Sequence, residues 1–283
     1  MELSKPFAEM SYKELMYMTA PTIPYTHCFT SRLGGVSSGY LESLNLGENR
    51  GDDEENVREN YRRVLAAMGL PEQNLCFTKQ VHGREVRVVT DADRRELFTT
   101  FKYEADGIVT NVPGLPLICF TADCVPVLLC DTEAGVAAAV HCGWRSTVAD
   151  ILGNAIDKML GLGALPEDIC AAIGPAIDMC CFETGPEVPE GIEKLLGADA
   201  EGTYFPVGGG DKFMVDLKEA NRRRLLQLGI SEGNISVSDE CTFCNSDRYW
   251  SHRQTGGERG SQAAVIVIGE LTPVEDTSDE QQS

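Results

Sequence analysis

The chain has 283 residues, enough for one large domain or two small ones, and its formal net charge of −20 would repel phosphate backbones and anionic membranes, which argues against nucleic acid as a partner. It has no apolar run of roughly 18 or more residues, so no membrane span is expected. Eleven cysteines, an odd number, together with an N-terminal stretch MELSKPFAEMSYKELMYM that carries charge in place of an apolar signal core, point to a cytoplasmic protein with reduced thiols rather than a disulfide framework.

In chain order, the glycine- and serine-rich stretch SRLGGVSSGYLESLNLGENRGDD precedes ENVRENYRRVLAAMGL, whose pattern predicts a helix that stops near Gly69. LCFTKQVHGREVRVVT predicts a strand, a turn at His82-Gly83 and a second strand. ADGIVTNVPGLPLICFTADCVPVLLCD adds two strands separated by Pro-Gly turn chemistry, and GVAAAVHCGW is a buried strand. TVADILGNAIDKMLGLG and VDLKEANRRRLLQLGI are amphipathic helices, while ICAAIGPAI and AAVIVIGE are strands. Helices and strands alternate without regular βαβ spacing, which predicts a layered α/β or α+β domain with a mixed sheet. One catalytic domain over 1–271 is expected, followed by a polar, acidic, disordered tail over 272–283.

Reactive side chains collect at strand ends, where layered α/β proteins build their sites. Cys124 and His141 both lie in FTADCVPVLLCDTEAGVAAAVHCGWRST, and His82 lies in a Gln-Val-His-Gly turn. Two imidazoles and a thiolate suit zinc, and three protein ligands leave a position open for catalysis. The same residues also suit a nucleophilic Cys124 with a histidine base. The glycine of HCGWR is expected to let the backbone bend sharply after His141. The Cys-Thr-Phe-Cys run at 241–244 has the spacing of half a zinc knuckle, but the adjacent pair at 180–181 has no such spacing, so no structural zinc is expected there. Arg32, in the glycine-rich loop, is the first choice for an anion clamp, with Arg145 as the alternative. Asp123 either orients a ligand histidine or caps a turn.

The ordered motifs TSRLGGVSSGYLESLNLGENRGDD, QVHG, ADGIVTNVPGLPLICFTADCVPVLLCD, AVHCGWRST, AIGPAI with CCFETG, DLKEANRRRLL and SHRQTGG resemble the laccase-domain family, also labelled polyphenol oxidase and purine nucleoside phosphorylase. The resemblance spans roughly residues 25–269. It implies a three-layer α/β/α fold with a mixed sheet and a zinc held by His82, Cys124 and His141. It also implies phosphorolysis of adenosine, inosine and methylthioadenosine, and deamination of adenosine, with nucleoside and phosphate as partners. The chain departs from the family pattern at Ser146 and Ala176, which bears on substrate preference. A conventional multicopper oxidase needs many more histidines than the four present, so phenol oxidation would fall to a single copper in the same site. Two rivals remain: a cysteine hydrolase editing amino acids on peptidoglycan precursors, and a non-catalytic metal-binding protein.

Overall fold

The computed structural model describes residues 6–71, 75–209 and 211–271; the acidic tail expected at 272–283 lies outside the described residues. The N-terminal part contains β1 (Ala8–Tyr12), β2 (Leu15–Thr19), β3 (Thr26–Thr30), α1 (Glu54–Ala67) and β4 (Val86–Val88). The centre contributes β5 (Gly107–Thr110), β6 (Leu117–Thr121), β7 (Val125–Asp131), β8 (Val136–Cys142), α2 (Trp144–Val148), α3 (Ile151–Leu160) and β9 (Cys170–Ile173). Then follow β10 (Glu183–Thr184), α4 (Glu187–Leu196), β11 (Tyr204–Val207), β12 (Lys212–Val215) and α5 (Leu217–Gln227). The last elements are β13 (Ile235–Val237), α6 (His252–Thr255) and β14 (Gln262–Val267).

The fold is mixed α/β, as expected, and its β layer is double. One sheet has the order β1-β2-β3-β14-β6 and is antiparallel throughout. The second large sheet, β13-β9-β7-β8-β5-β4, is mixed: β13 runs parallel to β9 and β4 to β5, while the central pairs are antiparallel; β10, β12 and β11 form a small antiparallel sheet of their own. The two sheets face each other through Phe29, Leu117 and Ile266 on one side and Leu128, Ala137, Ala139 and Ala172 on the other. The helices cover the outer faces. Val57, Tyr61 and Val64 of α1 pack on Leu15, Tyr17 and Val265. Ile156, Ile192 and Leu225 of α3, α4 and α5 pack on Val127, Leu129 and Val140.

Strands β7 and β8 are buried on both faces, which is why they read as unbroken apolar runs. Their side chains still alternate with period two. Val136, Ala138, Val140 and Cys142 point to the helices, and Ala137 and Ala139 to the opposing sheet. His141 continues the alanine row, which aims it between the sheets at their end. Cys124 lies where the chain leaves β6 of one sheet and enters β7 of the other.

Helix α1 starts with Asp53 accepting the N–H of Glu55 and ends before Gly69, whose φ of 69° favours glycine. The helix expected over 147–163 is split. Asp150 takes a left-handed conformation (φ 63°), caps α3 through the N–H of Gly153 and pairs with Arg224 at 2.7 Å. The strand expected before the His82 turn is reduced to isolated bridges at Cys76 and Lys79. The 105–131 stretch holds three strands rather than two: β5 precedes the Pro-Gly turn as expected, and the run after it breaks before Val125 into β6 and β7.

Candidate metal and anion site

The three candidate donors come together. Single ligand atoms of His82, Cys124 and His141 all lie within 4.8 Å of one another, and Cys124 Sγ is 3.8 Å from His82 Nε2. A tetrahedral zinc with Zn–S of about 2.3 Å and Zn–N of about 2.05 Å sets an S···N edge of about 3.6 Å. The donor set therefore fits zinc in both chemistry and spacing. The two imidazole rings meet edge to face, with centroids 4.9 Å apart.

Asp106 organises the cluster. Its carboxylate accepts the backbone N–H groups of Val81, His82 and Gly83 at 2.8–3.1 Å, pinning the turn that presents His82 in a left-handed conformation (φ 59°). The same carboxylate binds His141 Nδ1 at 2.8 Å, and the Asp106 carbonyl accepts the His141 N–H at 2.7 Å. A hydrogen bond at Nδ1 leaves His141 Nε2 as the metal-facing donor. Burial alone would raise the Asp106 carboxyl, but His141 and the backbone donors hold it below the usual carboxylate range. Burial likewise works against a Cys124 thiolate, yet His141 and His82 bring the thiol down to about 6. Burial lowers His141, but Cys124 and Asp106 outweigh it and raise the imidazole to about 9. Cys124 and His141 thus each favour the charged form of the other.

Gly143 is needed for space, not for the bend expected of it. Its φ of −65° is open to any residue, but a Cβ there would lie 3.0 Å from His82 Cδ2 and 3.2 Å from Cys124 Sγ.

The structure gives the other three candidate residues partners away from the donors. Arg32 stacks on Trp250 at 4.0 Å and donates to the carbonyls of Glu42 and Ser246, so its fork is already taken by the fold. Arg145 is exposed on α2 and stacks on Trp144 at 4.2 Å. Asp123 orients no histidine: it accepts Thr242 Oγ1 at 2.7 Å and the Arg253 N–H at 2.6 Å, and Asp106 does the orienting instead. Ser146 and Ala176 are fully buried and do not line the pocket.

The pocket beside the donors has a volume of about 230 Å³ and is lined by Arg50 and Arg259 instead. The Arg259 guanidinium donates through Nη1 to Gly260 O and Ser261 Oγ, both at 2.9 Å, while its buried Nε has no hydrogen-bond partner among the described residues. Burial and the neighbouring Arg50 disfavour its charge, outweigh Cys124 and Asp123, and lower it to about 10. The opposite wall is aromatic. Phe77 meets Phe120 edge to face at 5.0 Å and Phe101 at 6.0 Å, and Arg95, paired with Glu48 at 3.1 Å, backs Phe77 and Phe101. Gln80 exchanges two hydrogen bonds with the Phe120 backbone, at 2.8 and 2.7 Å, tying the QVHG turn to β6.

An Asp106→Asn variant would turn an amide NH2 toward backbone N–H groups. Metal affinity is expected to fall about 10- to 100-fold, measured by competition with a chromophoric chelator. Unchanged affinity would remove Asp106 from its orienting role.

A model of the multi-copper polyphenol oxidoreductase laccase family matches residues 26–269. The purine nucleoside phosphorylase of Deinococcus radiodurans is 38% identical over 259 residues, covering 92% of this chain and 95% of that protein. Purine nucleoside phosphorylase YlmD of Geobacillus stearothermophilus is 34% identical over 241 residues, covering 84% and 88%. The crystal structure of YlmD from that organism superposes with a TM-score of 0.86 at 32% identity, over 93% of this chain and 99% of the other. The Bacillus licheniformis hypothetical protein YfiH gives the same TM-score of 0.86 and the same coverage at 31% identity. With the match running across nearly all of the described residues, the chain belongs to the multi-copper polyphenol oxidoreductase laccase family.

Proposed function

We propose that the chain is a cytoplasmic, zinc-dependent purine nucleoside phosphorylase acting on adenosine, inosine and methylthioadenosine, with adenosine deamination as a second reaction in the same pocket. The observation that carries this reading is the convergence, on one pocket, of a nitrogen–sulfur donor triad, two arginines and an aromatic wall. Relatives named purine nucleoside phosphorylase that match most of both chains support it.

Phosphorolysis breaks the C1′–N9 bond of the nucleoside as a phosphate oxygen bonds to C1′, and the purine departs with the electron pair. Arg50 and Arg259 hold the phosphate, Arg259 through the Nε–H that has no partner among the described residues. Phe77 and Phe120 offer the purine an apolar face. His82, Cys124 and His141 would hold the zinc, which when bound supplies a Lewis acid for the carbonyl of inosine or for the water that deaminates adenosine. Asp106 keeps His141 in one tautomer throughout. Among the described residues only two side-chain clusters suit a metal, and only one contains histidine, so this reading gives phenol oxidation to adventitious copper in the triad.

The Cys124–His141 pair favours a second reading, in which a metal-free thiolate attacks an acyl group as a cysteine hydrolase editing peptidoglycan precursors. Adenosine separates the two. With phosphate it should yield adenine and ribose 1-phosphate beside inosine, and without phosphate inosine alone. Failure to turn over adenosine with zinc fully loaded, together with release of amino acids from cell-wall precursors that survives chelation, would favour the hydrolase.

A further inference from the structure

The geometry points to a second metal site, a zinc held by four thiolates from Cys180, Cys181, Cys241 and Cys244. Two chain segments, one after β9 and one before α6, bring these residues together although they lie more than fifty positions apart. Their four sulfurs all lie within 4.8 Å of one another. The distances from Cys180 to Cys181, Cys180 to Cys244 and Cys181 to Cys244 are 3.5, 3.6 and 3.4 Å. A tetrahedral tetrathiolate with Zn–S of about 2.3 Å has S···S edges of about 3.8 Å. A disulfide requires about 2.05 Å. The sulfurs are thus spaced as the corners of a coordination polyhedron, and all four cysteines are free.

The backbone around Cys241 has the matching arrangement. Its sulfur accepts the N–H of Asp178, 3.4 Å away on the partner segment. Amides aimed at sulfur stabilise a thiolate and lessen the charge that four of them accumulate. The segments are also joined beneath the cluster. Ala176 bridges Cys241 in parallel register, with the Thr242 N–H donating to Ala176 O at 3.0 Å. Lys218 pairs with Asp178 at 2.8 Å and donates to Ser238 O at 2.7 Å. Soft sulfur donors in a tetrahedral set select zinc over harder cations, and four protein ligands close the shell, as in structural sites.

Such a site would act through Asp123, the residue before Cys124. The Ile177 N–H donates to Asp123 O at 2.9 Å, and Thr242 Oγ1 donates to its carboxylate at 2.7 Å. These contacts, one from each cysteine-bearing segment, hold Asp123 at a φ of 86°, disfavoured for a side-chain-bearing residue. A staple between the segments therefore fixes the corner that presents Cys124.

The test does not depend on the phosphorylase reading. Full-length protein purified without chelator and denatured for metal analysis should release two equivalents of zinc. A Cys241→Ser/Cys244→Ser double variant should release one, and Cys124→Ala should release the other. If the double variant does not fold, Cys124→Ala loaded with cobalt serves in its place. It should show the intense sulfur-to-metal charge-transfer absorption of several thiolates, with Cys180, Cys181, Cys241 and Cys244 protected from alkylation until the metal is removed. Wild-type protein with one equivalent of zinc and these four cysteines freely alkylated would overturn the assignment. So would their recovery as disulfides, or iron in place of the second zinc.

Discussion

Replacing His141 with alanine is expected to lower phosphorolysis and deamination together, by about a thousandfold each. The estimate equates the donor set with about 4 kcal/mol of transition-state stabilisation. His141 is 3% exposed and its Nδ1 is held by Asp106, so the variant also leaves that carboxylate facing a cavity. Stability should therefore fall by about 1–3 kcal/mol, read by denaturant unfolding. The two losses are separable, because folded His141→Ala protein at low temperature should bind zinc weakly and remain inactive. Parallel loss of both activities is the signature of one shared site; loss of one alone would require two.

The second large effect concerns phosphate. Arg259→Lys keeps a positive charge but loses the fork and the Nε–H that has no partner among the described residues. The phosphate KM is expected to rise about 30- to 150-fold, corresponding to about 2–3 kcal/mol for a charge-assisted hydrogen bond in a partly buried site. At saturating phosphate, kcat should be much less affected. Arg145→Ala is the control: that residue is exposed and stacks on Trp144, so its kinetics should stay within about twofold of wild type. A wild-type phosphate KM in Arg259→Lys would leave Arg50 to carry the anion alone.

The parts of the molecule visible in the sequence are those with a local signal. Helices α1 and α5 follow from their periodicity and from stops at Gly69 and Gly229, and β7, β8 and β14 from apolar runs too short for helices. His82, Cys124 and His141 stood out as reactive groups at strand ends, and the structure brings their ligand atoms together. What escaped depends on distant parts of the chain meeting. Arg259 reaches the pocket only because β14 inserts between β3 and β6, whereas Arg32, in a more suggestive loop, is consumed by the carbonyls of Glu42 and Ser246. Asp106 did carry a local signal: an acidic residue opening the apolar run GIVT, where burial demands a partner. Asp123 drew attention by adjacency to Cys124, yet its left-handed conformation turns its carboxylate toward Thr242 and Arg253. The pair Cys180-Cys181 has no ligand spacing of its own, and only the parallel bridge from Ala176 to Cys241 places it beside the Cys-Thr-Phe-Cys turn.

The most direct test of a phosphorylase centred on this pocket is the product balance from inosine, followed by chromatography in zinc-loaded wild-type protein across a phosphate titration. The account predicts hypoxanthine and ribose 1-phosphate in equal amounts, rising with phosphate and absent without it. Free ribose at a rate independent of phosphate, or no turnover of inosine with zinc fully bound, would contradict it.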